Sequence, residues 1–245
     1  MRFLILTLYC ISFLYAANPN TQSLDDFDAE FQTPQQNQVA DPLSGYNKIM
    51  TNFNDFFYLN ILDPVAKGYK TVVPTPLRTG IYNVFNNLLF PLRFLNNTLQ
   101  LKFHNAFDET RRFLINSTLG VAGLSDVATN NFHIKAHDED FGQTLGYYGA
   151  GSGFYLVLPI LGPSNLRDTF GLVTDVLINP LNYFENRGYN IFDNSTQAYA
   201  SGALEMINYS SFHVGEYKKL KNDAIELYPF LKNIYEQRRK KLIEE

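Results

Sequence analysis

Cysteine is almost missing from this chain: Cys10 is the only one in 245 residues, and tryptophan is absent altogether. A lone thiol excludes a disulfide framework and a thiolate metal cluster, so stability has to come from packing. A single domain of this length can supply it. Long apolar runs are missing too. Beyond the first 17 residues the longest are 154–161 and the Arg-interrupted 88–95, both far short of the ~20 residues of a membrane-spanning helix. Positive charge is scarce, with a formal net charge of −4. The one basic run, QRRKK at 237–241, sits near the C-terminus, which argues against nucleic-acid binding. It reads as a solvated tail, the alternative being a lipid-headgroup patch.

The first residues have the layout of a secretory signal: Met1-Arg2, then an apolar stretch, then Ala16 and Ala17. Cleavage after Ala16 fits the ordinary signal peptidase, and an uncleaved membrane anchor is the alternative. Cys10 follows Thr7, Leu8 and Tyr9 with too little apolar sequence ahead of it for a lipidation site, so the chain is expected not to be a lipoprotein. Residues 18–40 are polar, rich in Asn, Gln and Asp, and without helical or strand period, which makes them a flexible leader. The division is therefore a signal at 1–17, a leader at 18–40 and one folded domain at 41–245.

Within that domain the apolar residues recur mostly at helical spacing. Ile81, Val84, Phe85, Leu88, Leu89, Leu92, Leu95 and Leu99 form one stripe, with Pro91 expected to kink the helix rather than end it. Tyr217, Leu220, Ala224, Leu227, Tyr228, Leu231, Ile234 and Tyr235 form a second, with Pro229 inside it. Residues 154–161 are continuously apolar and fit a strand or a buried helix equally. Pro163 and Ser164 read as a turn and helix start. The fold class is all-α, or mostly so. Aromatics, 16 Tyr and 21 Phe, are spread over nearly every helix, as suits a packed core or a membrane interface.

Enzyme chemistry finds little support. The glycines Gly146, Gly149, Gly151 and Gly153 match neither dinucleotide nor P-loop spacing, and Ser152 lacks the flanking glycines of a nucleophile elbow. Alternating glycines supply instead a backbone able to bend sharply, as a hinge or re-entrant turn requires. His133 and His137, four apart, would share a helix face and offer a metal site with Asp138 or Asp140. The segment reads more simply as a polar loop before a helix that Asp138 or Asp140 caps, so no metal or cofactor is expected. His104 and His213 have no partners nearby in sequence. Arg167 and Asp168 form either a local ion pair at a helix start or charged groups lining a polar path through a membrane-embedded body, where charges face water or one another. Asp175, seven residues on, would share the face of Asp168.

Several ordered motifs carry a resemblance over residues 41 to about 190. They are Asp41, Pro42, Leu43, Gly45 and Asn47; Leu62, Asp63 and Pro64; Val73, Pro74, Pro76, Arg78, Gly80 and Asn83; and RFLINSTLGVAGLSD at 112–126, which includes Asn116 and Asp126. Phe141-Gly142, Thr144-Leu145-Gly146, Tyr148-Gly149, Gly151, Leu158-Pro159, Gly162 and Leu166-Arg167-Asp168 complete the set. On these residues the chain resembles the MlaA (VacJ) family of outer-membrane phospholipid-transport proteins. The resemblance implies a ring-like body of amphipathic helices in the periplasmic leaflet of the outer membrane, with a central amphipathic channel. Through it phospholipids that have strayed into the outer leaflet pass to a periplasmic carrier of the MlaC type, and no bond is made or broken. It also implies that residues 146–175 border the channel, with Gly146, Gly149, Gly151 and Gly153 as candidate gate and Arg167, Asp168 and Asp175 as channel-side polar groups. A trimeric porin is the implied membrane partner, contacting residues near 60–69. The alternatives are a structural or porin-associated envelope protein without transport and an enzyme acting on envelope lipids.

Overall fold

The computed structural model describes residues 40–182 and 194–245; the signal segment, nearly all of the leader, and Cys10 lie outside them. The described chain is mostly helical. Helix α1 (Ser44–Phe57) runs into a π-helical turn (Tyr58–Leu62) and on into α2 (Asp63–Val72). The wide turn has a local cause. Pro64 has no N–H to donate, and just before it the Asp63 N–H reaches back five residues to the Tyr58 carbonyl. Helices α3 (Thr75–Leu88), α4 (Phe90–Leu99), α5 (Phe103–Thr118), α6 (Val127–Phe132) and α7 (Phe141–Tyr147) follow. A hairpin of β1 (Tyr155–Leu158) and β2 (Gly162–Asn165) interrupts the helices before α8 (Leu166–Ile178), α9 (Ser195–Ser210), α10 (Glu216–Asp223) and α11 (Leu227–Glu244).

Three expectations are corrected. Pro91 does not kink one helix: α3 stops at Leu88, and Pro91 takes the second position of α4, where a missing N–H costs nothing. The second stripe is likewise two helices, α10 and α11, with Pro229 in the first turn of α11. Pro163 and Ser164 lie in β2, paired with Val157 and Leu156, and it is Asn165 that caps α8 by accepting the Asp168 N–H. The ambiguous run at 154–161 resolves as strand β1 and its turn, where Ile160 has a φ of 68° and Gly162 one of 86°.

The hairpin is held by α1 through side-chain amides. Asn47 Nδ2 donates to the Tyr155 carbonyl (3.0 Å) and its Oδ1 accepts from the Val157 N–H (2.8 Å). Two turns on, Asn54 does the same with Leu158 O (2.8 Å) and Ile160 N (2.6 Å). Asn47 thus occupies the free edge of β1 as a neighbouring strand would, and Asn54 holds the turn that follows it.

Polar side chains fill the interior. Among the described residues buried polar and charged side chains outnumber buried hydrophobic ones, and the apolar cluster is small, centred on Leu62, Leu161 and Met206. Individual helices show the inversion. In α1, Asn47, Thr51 and Asn54 face inward while Ile49, Phe53 and Phe56 are exposed. In α5, Glu109, Arg112 and Asn116 face inward while Phe103, Phe107 and Leu114 are exposed. In α8, Asp168 and Asp175 face inward while Phe170, Val173 and Leu177 are exposed. Each of these three helices is amphipathic with its apolar stripe on the outside, the reverse of the usual arrangement in water.

Candidate functional site

Helices α7, α8 and α11 meet at a buried ion cluster around Arg239. Its guanidinium donates to both oxygens of Asp140 (2.6 and 2.8 Å) and to Asp168 Oδ1 (3.0 Å). Asp168 also accepts from Tyr235 Oη (2.7 Å) and Arg167 Nε (2.9 Å). Asp140 caps α7 through the Gln143 N–H, so one carboxylate serves helix end and ion pair together. Burial opposes its charge, but the Arg239 guanidinium outweighs burial and holds the carboxyl down at about 2.

Asp175, on the same face of α8 as Asp168, takes no part in an ion pair. Its carboxylate accepts the Phe141 N–H (3.0 and 3.1 Å) and the Asn96 amide (3.2 Å). Burial first and the neighbouring Asp140 second push it up to about 8, against those two donors. Asp140, Asp168, Asp175, Tyr235 and Arg239 line a partly open cavity of about 110 Å³ together with Ser164 and the apolar Leu158, Leu161, Pro163 and Leu172. It is large enough for water molecules at its polar wall.

The basic segment 237–241 is thus not simply a solvated tail: Arg239 is buried at the centre of the cluster, while Lys240 stays at the surface with Glu244. Tyr235 and Arg239 are not singled out as site residues by the sequence, and Asp140 is singled out only as a helix cap or metal ligand. The available signal was spacing, since the stripe through Tyr228, Leu231 and Tyr235 reaches Arg239 in one further step of four.

A second polar region lies between α3, α4, α5, α9 and the loop 133–140. Arg93 Nε pairs with the buried Glu109 (2.7 Å), and Arg93 Nη1 lies 3.6 Å from Asp138. Asp138 combines two properties that rarely coincide: burial drives its pKa up, while its side chain keeps 25% of its surface open. Tyr82 is similar, half-buried yet with its phenol pushed up to about 12 by burial. Both groups are surrounded by protein and still keep part of their surface open to solvent.

The glycine cluster sits at the end of α7 and the loop after it. Gly149 (φ 85°) and Gly153 (φ 73°) occupy the left-handed region. A Cβ on Gly153 would meet Leu166 Cβ at 2.9 Å, and one on Gly146 would meet Ile243 Cδ1 at 2.6 Å; around Gly151 there is open space. Arg167 reaches this loop through the Ala150 carbonyl (3.4 Å).

The remaining motif residues hold the frame. Asp41 accepts from Asn47, Tyr228 and Lys232. Asp63 accepts the Gly215 N–H (3.0 Å). Arg78 donates to the Ser211 carbonyl and hydroxyl, and Asn208 donates to the Arg78 carbonyl. Asp126 caps α6 and gathers Asn116, Thr129 and Arg112. Gly45 and Pro42 are exposed at the start of α1. His133 ends α6 in the left-handed region, and His137 lies 3.6 Å from Asp108. No group of metal-binding side chains occurs among the described residues.

A model of the MlaA lipoprotein family matches residues 39–242. The chain is 39% identical over 150 residues to the intermembrane phospholipid transport system lipoprotein MlaA of Escherichia coli, a match covering 58% of each. It is 34% identical over 145 residues to the protein of that name in Haemophilus influenzae, again 58% of each. An uncharacterized protein of Rickettsia prowazekii is 36% identical over 156 residues, 63% of this chain and 62% of the relative. The chain therefore spans about three fifths of the length of the curated relatives it matches. A solved structure from work on the structural basis for maintenance of bacterial outer membrane lipid asymmetry superposes with a TM-score of 0.68 at 31% identity, covering 83% of this chain and 99% of that one. The named relatives are called lipoproteins, which runs against the expectation of an unlipidated chain drawn from Cys10.

Proposed function

Because the chain belongs to the MlaA lipoprotein family, we propose that it lets phospholipids leave the outer leaflet of the outer membrane through a polar passage in its own body. The lipids then go to a periplasmic carrier, and lipid asymmetry is maintained. The observation that carries this reading is the inverted distribution of side chains. An exposed apolar perimeter of Phe, Leu, Ile and Val lowers its free energy by facing acyl chains. A polar interior with half-open groups such as Asp138 and Tyr82 lowers the cost of moving a charged headgroup through a low-dielectric layer.

No helix among the described residues is long and apolar enough to cross a membrane, so the body would sit in one leaflet. Gly146, Gly149, Gly151 and Gly153 are the candidate gate, next to the cluster that holds Arg167, Asp168 and Asp175. The exposed positions Ile61 and Val65 offer a trimeric porin an apolar contact. The reading involves no chemical step. Its test is the amount of surface-exposed phospholipid on cells lacking the chain. A rise that the intact chain reverses supports lipid passage; normal asymmetry would favour a structural role in the envelope.

A further inference from the structure

Glu205, on α9, is the buried charged group that no element of the frame explains. It is 7% exposed, and it makes no hydrogen bond or ion pair with any described residue. Every other buried carboxylate discussed above has a donor facing it; Glu205 has a small cavity instead. The cavity is lined by Tyr82, Phe85 and Asn86 from α3 and by Glu205, Asn208 and Tyr209 from α9. Its free volume is about 10 Å³, the room one water-sized group occupies. Tyr82 and Tyr209 stand with ring centroids 6.5 Å apart, and Tyr82 keeps part of its surface open to solvent.

The lining selects a chemistry. It contains no Lys or Arg, so nothing there recommends an anion. A carboxylate beside three aromatic rings is the arrangement that suits a small cation, through an ion pair and the negative ring faces. Size narrows the choice: a primary ammonium is about as large as a water molecule, whereas a trimethylammonium group is several times larger. Burial, unopposed by any cation, pushes the Glu205 carboxyl up to about 8, as expected of a site waiting for one.

We propose that Glu205, with the rings of Tyr82, Phe85 and Tyr209, forms a subsite for the primary ammonium of an aminophospholipid headgroup on its way through the polar interior. The subsite rests on the lipid-passage reading and adds headgroup preference to it: ethanolamine lipids are favoured over choline lipids and over anionic glycerol lipids.

The test is calorimetric titration of the full chain in detergent with the dihexanoyl forms of phosphatidylethanolamine, phosphatidylcholine and phosphatidylglycerol, and with free ethanolamine. The expected result is a preference for the ethanolamine lipid of at least about tenfold, the worth of one charge-assisted hydrogen bond. In Glu205→Gln, checked for folding by circular dichroism, that preference disappears while binding common to all three lipids remains. Equal binding of the three lipids by the intact chain overturns the subsite and leaves lipid passage standing, and this arm needs no variant to fold. A preference that survives in folded Glu205→Gln overturns the assignment to Glu205. Free ethanolamine binding as tightly as the lipid overturns the headgroup as the source of the amine. Failure of every lipid to bind overturns the subsite and the lipid-passage reading together.

Discussion

Arg239 and the two aspartates it joins show how charge is kept inside this protein. Arg239 alone against Asp140 and Asp168 would leave the cluster with surplus negative charge, and Arg167, its side chain buried as well, supplies the balance. Asp175, close by, has no cation of its own, and the two neighbours therefore respond to pH with opposite sign. Asp140 is depressed to about 2, so its contribution is in place above the ordinary carboxylate range and is lost as pH falls toward 2. Asp175 is raised to about 8, so the folded chain holds a proton that the unfolded chain has already released. Stability on its account declines as pH climbs from about 4 to about 8. Thermal denaturation followed between about pH 5 and pH 9 should show the Tm of the intact chain falling, and falling less steeply in Asp175→Asn. Equal slopes would mean that Asp175 is ionised throughout. The sequence made Asp168 and Asp175 legible as one face of a helix, because a step of seven fixes that. It did not reveal Asp140 or Arg239 as their partners, because nothing in local spacing tells which distant helix will bring its cation alongside.

At the level of elements, the prolines and glycines set where helices begin and bend. Pro76 and Pro91 lie in the first turn of a helix and mark its start, whereas Pro64 sits where the π-helical turn passes into α2. Two stripes that look continuous in sequence are divided in the structure, because side-chain period survives the one-residue break between α3 and α4 and the three-residue break between α10 and α11. The loop after α7 depends on its glycines to different degrees. Gly153→Ala places a Cβ 2.9 Å from Leu166 Cβ at a φ of 73°, and should destabilise by about 1–3 kcal/mol. Gly151→Ala enters open space at an ordinary φ and should stay within about 0.5 kcal/mol of the intact chain. Urea denaturation of the two variants side by side checks this ordering, and a Gly153→Ala chain as stable as Gly151→Ala would refute it. The amide docking of Asn47 and Asn54 onto β1 was hidden from the sequence, where an Asn on a helix reads as surface or cap.

The molecule as a whole turns on orientation. Hydrophobic period tells which residues share a face, and the sequence showed amphipathic helices plainly. It cannot tell whether that face points inward to a core or outward to lipid, and with no long apolar run composition alone favours a soluble bundle. The structure decides where the stripes point, since Ile49, Phe53, Phe107, Leu114, Phe170 and Leu177 lie at the surface while Asn, Asp, Glu and Arg fill the inside. A body built this way is stable in water only at the cost of a large exposed apolar area, and gains from burial in an acyl layer at about 25 cal/mol per Å². Lipid around the rim and water along the interior is the central claim. The measurement that tests it most directly uses single cysteines in a chain with Cys10 replaced, reconstituted in phospholipid vesicles and challenged with a charged, water-soluble maleimide. The account predicts that Phe107→Cys and Leu114→Cys on the rim are shielded, while Tyr82→Cys in the interior reacts. Rapid labelling of the rim positions together with protection of Tyr82→Cys would contradict it.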